Sequence, residues 1–218
     1  MKFNVLSWLA HVSIASAVIF DRNAQAVRRE QQLQSQSQSQ SLPCPNTTIP
    51  KNWAVVMYNS FDAIDVFGPI DVLFYLSMSE QLNLSFVAET MDPLWMRPTS
   101  QAFNTHRSHF VTSTNPTHTF DKPPSDIDVL LIPGGPGMRH ADISRTAIDF
   151  IRKTYPNVQY LMTICTGAGL AAAAGVLDGK RATTSKSSWG DIAAMGPEVK
   201  WVSPARWTVD GNIWTSSG

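Results

Sequence analysis

Net charge is missing from this sequence. Its 218 residues carry 17 basic and 17 acidic side chains, so no overall field draws it to nucleic acid, and none is expected as a partner. Long runs of like charge are missing too, which excludes a charged interaction tail. Cysteine is scarce: Cys44 and Cys165 are the only two, too few for a disulfide framework. No internal repeat is seen. An unbroken apolar run of the ~20 residues that a membrane-spanning helix needs is also lacking, because residues 3–20 are interrupted by Asn4, Ser7, His11 and Ser13. What is left is one domain of ordinary size with room for a real core.

Lys2 stands before the interrupted apolar run, and the small-x-small patterns Ala15-Ser16-Ala17 and Ala24-Gln25-Ala26 follow it. This is the layout of a secretory signal peptide, expected over residues 1–26. Its removal would leave a chain of the secretory pathway with no membrane attachment. A mis-set start of the chain would make the protein cytoplasmic instead. Residues 27–52 include "QQLQSQSQSQS", bury too little apolar surface to fold, and read as a disordered linker. Cys44 is expected to be exposed there, between Pro43 and Pro45. Asn46-Thr47-Thr48 and Asn83-Leu84-Ser85 match the glycosylation acceptor pattern, with Asn46 the more accessible.

From Trp53 the pattern changes. "WAVVMY", "LNLSFVAE", "DIDVLLIPGG" and "VQYLMTI" read as strands, and "KRATT" as a short one. "IDVFGPIDVLFYLSM", "ISRTAIDFIRKTY", "TGAGLAAAAGVL" and the shorter "SWGDIAAMG" read as helices. "LWMRPTSQAFNTH" reads as a hairpin arm, and "RWTVDGNIWTSS" as a hairpin turning on Asp210-Gly211. Strands alternating with helices imply an α/β domain, with a mostly parallel sheet covered on both faces and ligands at the carboxyl ends of its strands. Asp65, Gly134-Gly135 and Cys165 fall at or just beyond such ends.

The stretch "LMTICTGAGLAAAAGV", residues 161–176, admits three readings. Gly167-Ala168-Gly169-Leu170-Ala171-Ala172 fits the dinucleotide fingerprint G-x-G-x-x-A, but it does not open the domain, and no acid lies about 20 residues on. A buried cysteine followed by small residues can also be plain packing. The third reading is a nucleophile elbow, with Cys165 ending the strand and Thr166 and Gly167 making the turn. The cysteine then faces a helix amino terminus, which favours thiolate. Thr163 stands where the elbow pattern has its first glycine.

The second glycine cluster, "LLIPGGPGM", lacks the Lys-Ser/Thr of a phosphate loop. It places backbone N–H groups at a neighbouring strand end, where Gly135 and Thr166 together can bind developing negative charge. The plain alternative is a tight loop. His106 and His109 in "THRSHF" are too few for a metal site, so neither metal nor cofactor is expected.

Together "FDAIDVFGPIDVL", "VLLIPGGPG" and "LMTICTGAGLAAAAGVLDGKRATTSK" resemble the DJ-1/PfpI family, within the class I glutamine amidotransferase-like superfamily. They are most similar to its isonitrile hydratase branch. The resemblance runs from Trp53 to the end, with three separated motifs in order. It implies a flavodoxin-like three-layer sandwich over residues 53–218, with Cys165 as nucleophile, Asp65 as acid partner and Thr166 as supporting hydroxyl. Gly134 and Gly167 are turn residues, and a homodimer is implied. Many members carry a histidine directly after the matching "TT", where this chain has Ser185. Members also continue past "NIWTSSG" into a long helix, which this sequence lacks. The chemistry expected is attack by a Cys165 thiolate on a small electrophile, with the proton held by Asp65. An isonitrile would pass through a thioimidate to an N-substituted formamide. Glyoxalase-type conversion of reactive aldehydes, a non-catalytic redox-responsive protein and an inactive truncated homologue are the alternatives.

Overall fold

A computed structural model describes residues 49–218. The predicted signal segment, Cys44, Asn46 and most of the predicted linker lie outside the described residues. The first half runs β1 (Asn52–Val56), α1 (Ala63–Leu76), β2 (Asn83–Ala88), β3 (Leu94–Met96), β4 (Thr112–Thr114), β5 (His118–Thr119) and β6 (Val129–Ile132). The second half runs α2 (Ala141–Thr154), β7 (Tyr160–Thr163), α3 (Gly167–Ala173), β8 (Arg181–Ala182), α4 (Trp189–Ala194), β9 (Lys200–Trp201), β10 (Trp207–Asp210) and β11 (Ile213–Ser216).

Among the described residues, seven strands form one sheet in the order β10-β11-β7-β6-β1-β2-β5. Every neighbouring pair is parallel except β10 with β11. All four residues of β6 are buried, as are the last three of β1. Apolar runs without alternation suit strands covered on both faces. The chain leaves β1 toward β2 on one side and leaves β6 toward β7 on the other. Right-handed crossovers therefore put α1 and α2 on opposite faces. This is the flavodoxin-like order, with its switch point between β1 and β6.

The helices differ in how they meet the sheet. α2 buries Ser144, Ala147, Phe150 and Ile151 along one stripe, and Phe150 stacks on Phe120 at 4.8 Å. α3 buries every residue from Gly167 to Ala172. Its small side chains allow this: a Cβ on Gly169 would lie 2.7 Å from Met138 Cε and 3.0 Å from Met195 Sδ. α1 is apolar nearly all round. It buries Asp65 and Val66 while Ile64, Val72, Phe74 and Tyr75 stay exposed.

Two local expectations are corrected, and two short strands are added. The predicted hairpin arm supplies only β3, whose antiparallel partner β4 comes from beyond the predicted stretch. Strands β5 and β9, two residues each, are too short to show a period in sequence. In the last hairpin Asp210 pairs with Ile213, so Gly211 and Asn212 are the central turn residues, with Gly211 at φ +62°. A glycine first in a two-residue loop supplies the positive φ that such hairpins need.

Candidate active site

Three strand exits meet at the switch point. They are residues 57–62 after β1, 133–137 after β6 and 164–166 after β7. Cys165 has φ +55°, a left-handed value that costs a non-glycine residue about 1–3 kcal/mol. The surroundings impose it. The Cys165 N–H donates to the Ser216 carbonyl at 3.1 Å. The Thr184 hydroxyl donates to the Cys165 carbonyl at 2.8 Å. The left-handed residue of the turn is thus the cysteine itself. Gly167 serves close packing: a Cβ there would run into the carbonyls of Ile132 and Pro133. Cys165 is half-buried, and a Cβ on Gly218 would lie 3.2 Å from its sulfur.

Asp65 sits in the first turn of α1, behind the cap residue Asp62, whose carboxylate accepts from the Ile64 N–H at 3.3 Å. Asp65 is only 4% exposed. Its Oδ2 accepts from the Gly134 N–H at 2.9 Å. A Cβ on Gly134 would lie 2.7 Å from Asp65 Oδ2 and 2.8 Å from both Thr166 N and Thr166 Oγ1. The carboxylate and the elbow therefore converge on one glycine, and any side chain there would separate them. Asp71, the other acid of α1, is exposed.

Gly135 adopts φ +145°, and a Cβ on it would meet Ser60 O at 2.5 Å and Asp62 N at 2.7 Å. Its N–H donates to Thr166 Oγ1 at 3.0 Å. This changes the expected oxyanion pair. The Gly135 N–H is taken up in this arrangement, and the Thr166 hydroxyl that accepts it ties the exit of β6 to that of β7.

The electrostatics also depart from expectation. Burial raises Asp65 from its ordinary 3.8 to about 6, against the pull of the Gly134 N–H, with the Asp62 charge adding to the rise. Burial and then the Asp65 charge push the Cys165 thiol above its ordinary value; the Ser185 hydroxyl and the Thr166 N–H pull it down. At neutral pH the resting pair is carboxylate plus thiol, the reverse of the thiolate and protonated Asp65 expected from the helix terminus. Desolvation and two nearby carboxylates outweigh a helix of seven residues.

Sequence reading missed several neighbours. Tyr58 is fully buried, donates to the Pro133 carbonyl at 2.7 Å, and is pushed well up, by burial first and then by Asp65 and Cys165. Its place at the end of "WAVVMY", a strand aimed at the switch point, was the available signal. Thr184 and Ser185 bear on Cys165 from the segment after β8. His106 and His109 are exposed, His118 bonds Thr117 through Nδ1 at 2.9 Å, and His140 precedes α2. Among the described residues, no three of His, Cys, Asp and Glu gather as a metal set. Asn83, the described glycosylation candidate, is exposed and donates its side-chain amide to Asn52 Oδ1 at 2.7 Å.

A concavity of about 520 Å³ lies at the amino ends of the strands, among Asn52, Asp128 and Asn157, away from this chemistry. Nearer the switch point is an apolar cavity of about 290 Å³ lined by Phe61, Asp62, Met96, Phe110 and Pro136.

The fold and this geometry define an α/β domain whose strand-to-helix elbow carries a cysteine at the sheet's switch point. The sequence profile of the DJ-1/PfpI family matches residues 51–218, and the chain belongs to that family. It is 29% identical over 164 residues to isonitrile hydratase of Pseudomonas putida, a match covering 75% of this chain and 63% of that one. It is 35% identical over 100 residues to a deglycase of Pyrococcus horikoshii, covering 45% of this chain and 58% of the relative. The chain therefore spans about three fifths of the length of these relatives. Among solved structures, a THiJ/PfpI family protein of Pseudomonas syringae is 26% identical with a TM-score of 0.61, covering 82% of this chain and 68% of that one. Drosophila melanogaster DJ-1beta, at 18% identity and TM-score 0.60 over 78% of this chain and 83% of its own, shares the fold.

Proposed function

We propose that this protein is a cysteine-dependent hydratase acting on a small electrophilic carbon, with isonitriles as the substrate class. The observation that carries the reading is the convergence of Asp65 and the left-handed Cys165 elbow on Gly134. Isonitrile hydratase among the relatives supports the substrate class.

The resting pair sets the order of steps. Asp65 carboxylate takes the thiol proton as substrate enters. The sulfur attacks the terminal isonitrile carbon while Asp65 returns that proton to the same carbon, giving a thioimidate. Asp65, ionised again, removes a proton from water as its oxygen adds to the carbon. On collapse the nitrogen takes the proton held by Asp65, the C–S bond breaks as the hydroxyl oxygen becomes the carbonyl, the hydroxyl proton passes by way of Asp65 to the departing Cys165 sulfur, and N-substituted formamide leaves the free thiol behind. Overall one water is added, with no redox change. A donor for negative charge on the intermediate would come from the Thr166 N–H once the sulfur is bonded to carbon.

The deglycases among the relatives support a second reading, addition of the same thiol to a reactive aldehyde. Incubation with a simple isonitrile and with methylglyoxal, following formamide and lactate, separates the two. Cys165→Ala and Asp65→Asn should each lose at least ~100-fold in turnover; full activity in Cys165→Ala overturns both readings. The homodimer remains part of the proposal, and sedimentation of the purified protein tests it.

A further inference from the structure

Ser60 is the second left-handed non-glycine residue at the switch point. Its φ is +62°, uncommon for a residue with a side chain, and it is only 3% exposed. Its bonds account for the conformation. The Ser60 N–H donates to the Trp95 carbonyl at 2.7 Å, and the Ser60 carbonyl accepts from the Gly137 N–H at 3.1 Å. The Ser60 hydroxyl donates to the Arg97 carbonyl at 2.8 Å. The Trp95 N–H in turn donates to Asn59 Oδ1 at 2.9 Å. One strained residue thus pins both β3 and the exit of β6 to the exit of β1.

These pinned segments wall the apolar cavity of about 290 Å³. Phe61 and Asp62 line it from the exit of β1, Pro136 from the exit of β6, and Met96, Pro98 and Phe110 from the arm of β3 and β4. The Asp62 N–H is bonded to the Gly134 carbonyl. Pro136 follows Gly135, whose N–H is bonded to Thr166 Oγ1. The cavity therefore shares its walls with the two loops that hold the Cys165 elbow.

Its size and chemistry specify an occupant. A dry cavity of ~150 Å³ holds benzene, so this one has room for a ring or a branched alkyl group. Asp62 and Arg97 give the lining one charge of each sign, which favours no ionic occupant. Phe110 is 85% exposed, a large apolar ring still unburied at the cavity's edge. An isonitrile is linear from its substituent to its terminal carbon. With that carbon at the sulfur, the substituent has to lie beside the elbow rather than on it.

We propose that this cavity is the subsite for the substrate's substituent, and that it selects uncharged apolar groups of about one ring. Met96, packed against the core, and Phe110 are the side chains that decide what fits. This rests on the reading of Cys165 as the nucleophile that a small electrophile reaches.

The test compares alkylation of Cys165 in the full chain by iodoacetamide and by N-benzyliodoacetamide, followed by mass spectrometry, with glutathione as the reference thiol. It reads the subsite without requiring turnover. The ratio of benzyl to parent rate should be about tenfold or more higher at Cys165 than at glutathione, the gain expected for burying a phenyl ring. Met96→Trp, which fills the cavity, should bring the ratio down to that of glutathione, and Phe110→Ala should lower it in part. Equal ratios at Cys165 and glutathione overturn the proposal, as does a raised ratio that Met96→Trp leaves intact. Should Met96→Trp fail to fold, an unchanged ratio in Phe110→Ala overturns it. A raised ratio that both variants lower, without turnover of any isonitrile, keeps the subsite and removes the hydratase reading. Turnover that is no faster for benzyl than for methyl isonitrile, with equal alkylation ratios, keeps the hydratase and removes the subsite.

Discussion

Asp65 is held in the fold at a cost that depends on pH. Its acidity falls from the ordinary 3.8 to about 6 on folding, so between those values the folded chain binds a proton that the unfolded chain has released. Its contribution to stability is fully present below about 4 and is lost as pH rises through about 6. An asparagine side chain at this position would keep an oxygen for the Gly134 N–H and carry no charge. Asp65→Asn should therefore gain in melting temperature relative to wild type as pH rises from 4 to 7, measured by thermal scans at each pH. A constant difference across that range would contradict the assignment. The residue itself was legible, because an acid just past a buried strand end is an informative position. Its resting protonation was not, because desolvation and the Asp62 charge arise only when distant segments close over it. Likewise "TTSKSS" shows in sequence only that histidine is missing. That the Thr184 hydroxyl reaches the Cys165 carbonyl depends on the segment after β8 meeting an elbow some twenty residues away.

At the scale of elements, the loops matter more than the strands they leave. The exit of β6 is pinned to that of β1 by Asp62 N–H to Gly134 O at 2.9 Å and Gly137 N–H to Ser60 O at 3.1 Å. Gly135 lies between them with a φ that only glycine adopts freely. Gly135→Ala should cost at least about 2 kcal/mol through strain and overlap, read as a fall of roughly 5 °C or more in melting temperature. An unshifted melt would show that the two loops can part. The long elements were legible from period and apolar run length, α2 most clearly. The "LWMRPTSQAFNTH" segment was not, because the partner of β3 lies beyond a 3-10 turn at Gln101–Phe103 that no local pattern announces.

Across the whole molecule, the uneven surface of α1 stands out. Ile64 is 75% exposed and Val72 69%, with Phe74 and Tyr75 also open to solvent. Contiguous apolar surface of this kind promotes association. Val72→Lys combined with Phe74→Lys should reduce concentration-dependent light scattering while Asp65, buried on the same helix, keeps its bond to Gly134. Undiminished scattering would place the association elsewhere.

The bond from the Cys165 amide to the Ser216 carbonyl has a consequence during synthesis. Tyr58, Asp65 and the Gly134–Gly135 loop leave the ribosome long before β11, and domains fold as their parts emerge. The cysteine's amide has to wait for a partner far along the chain. Until β11 docks beside β7, nothing on that side holds the cysteine in its left-handed turn. The pocket's walls can thus be standing before its sulfur is placed, and the nascent chain carries its cysteine free of the burial and the Asp65 charge that act on it in the fold.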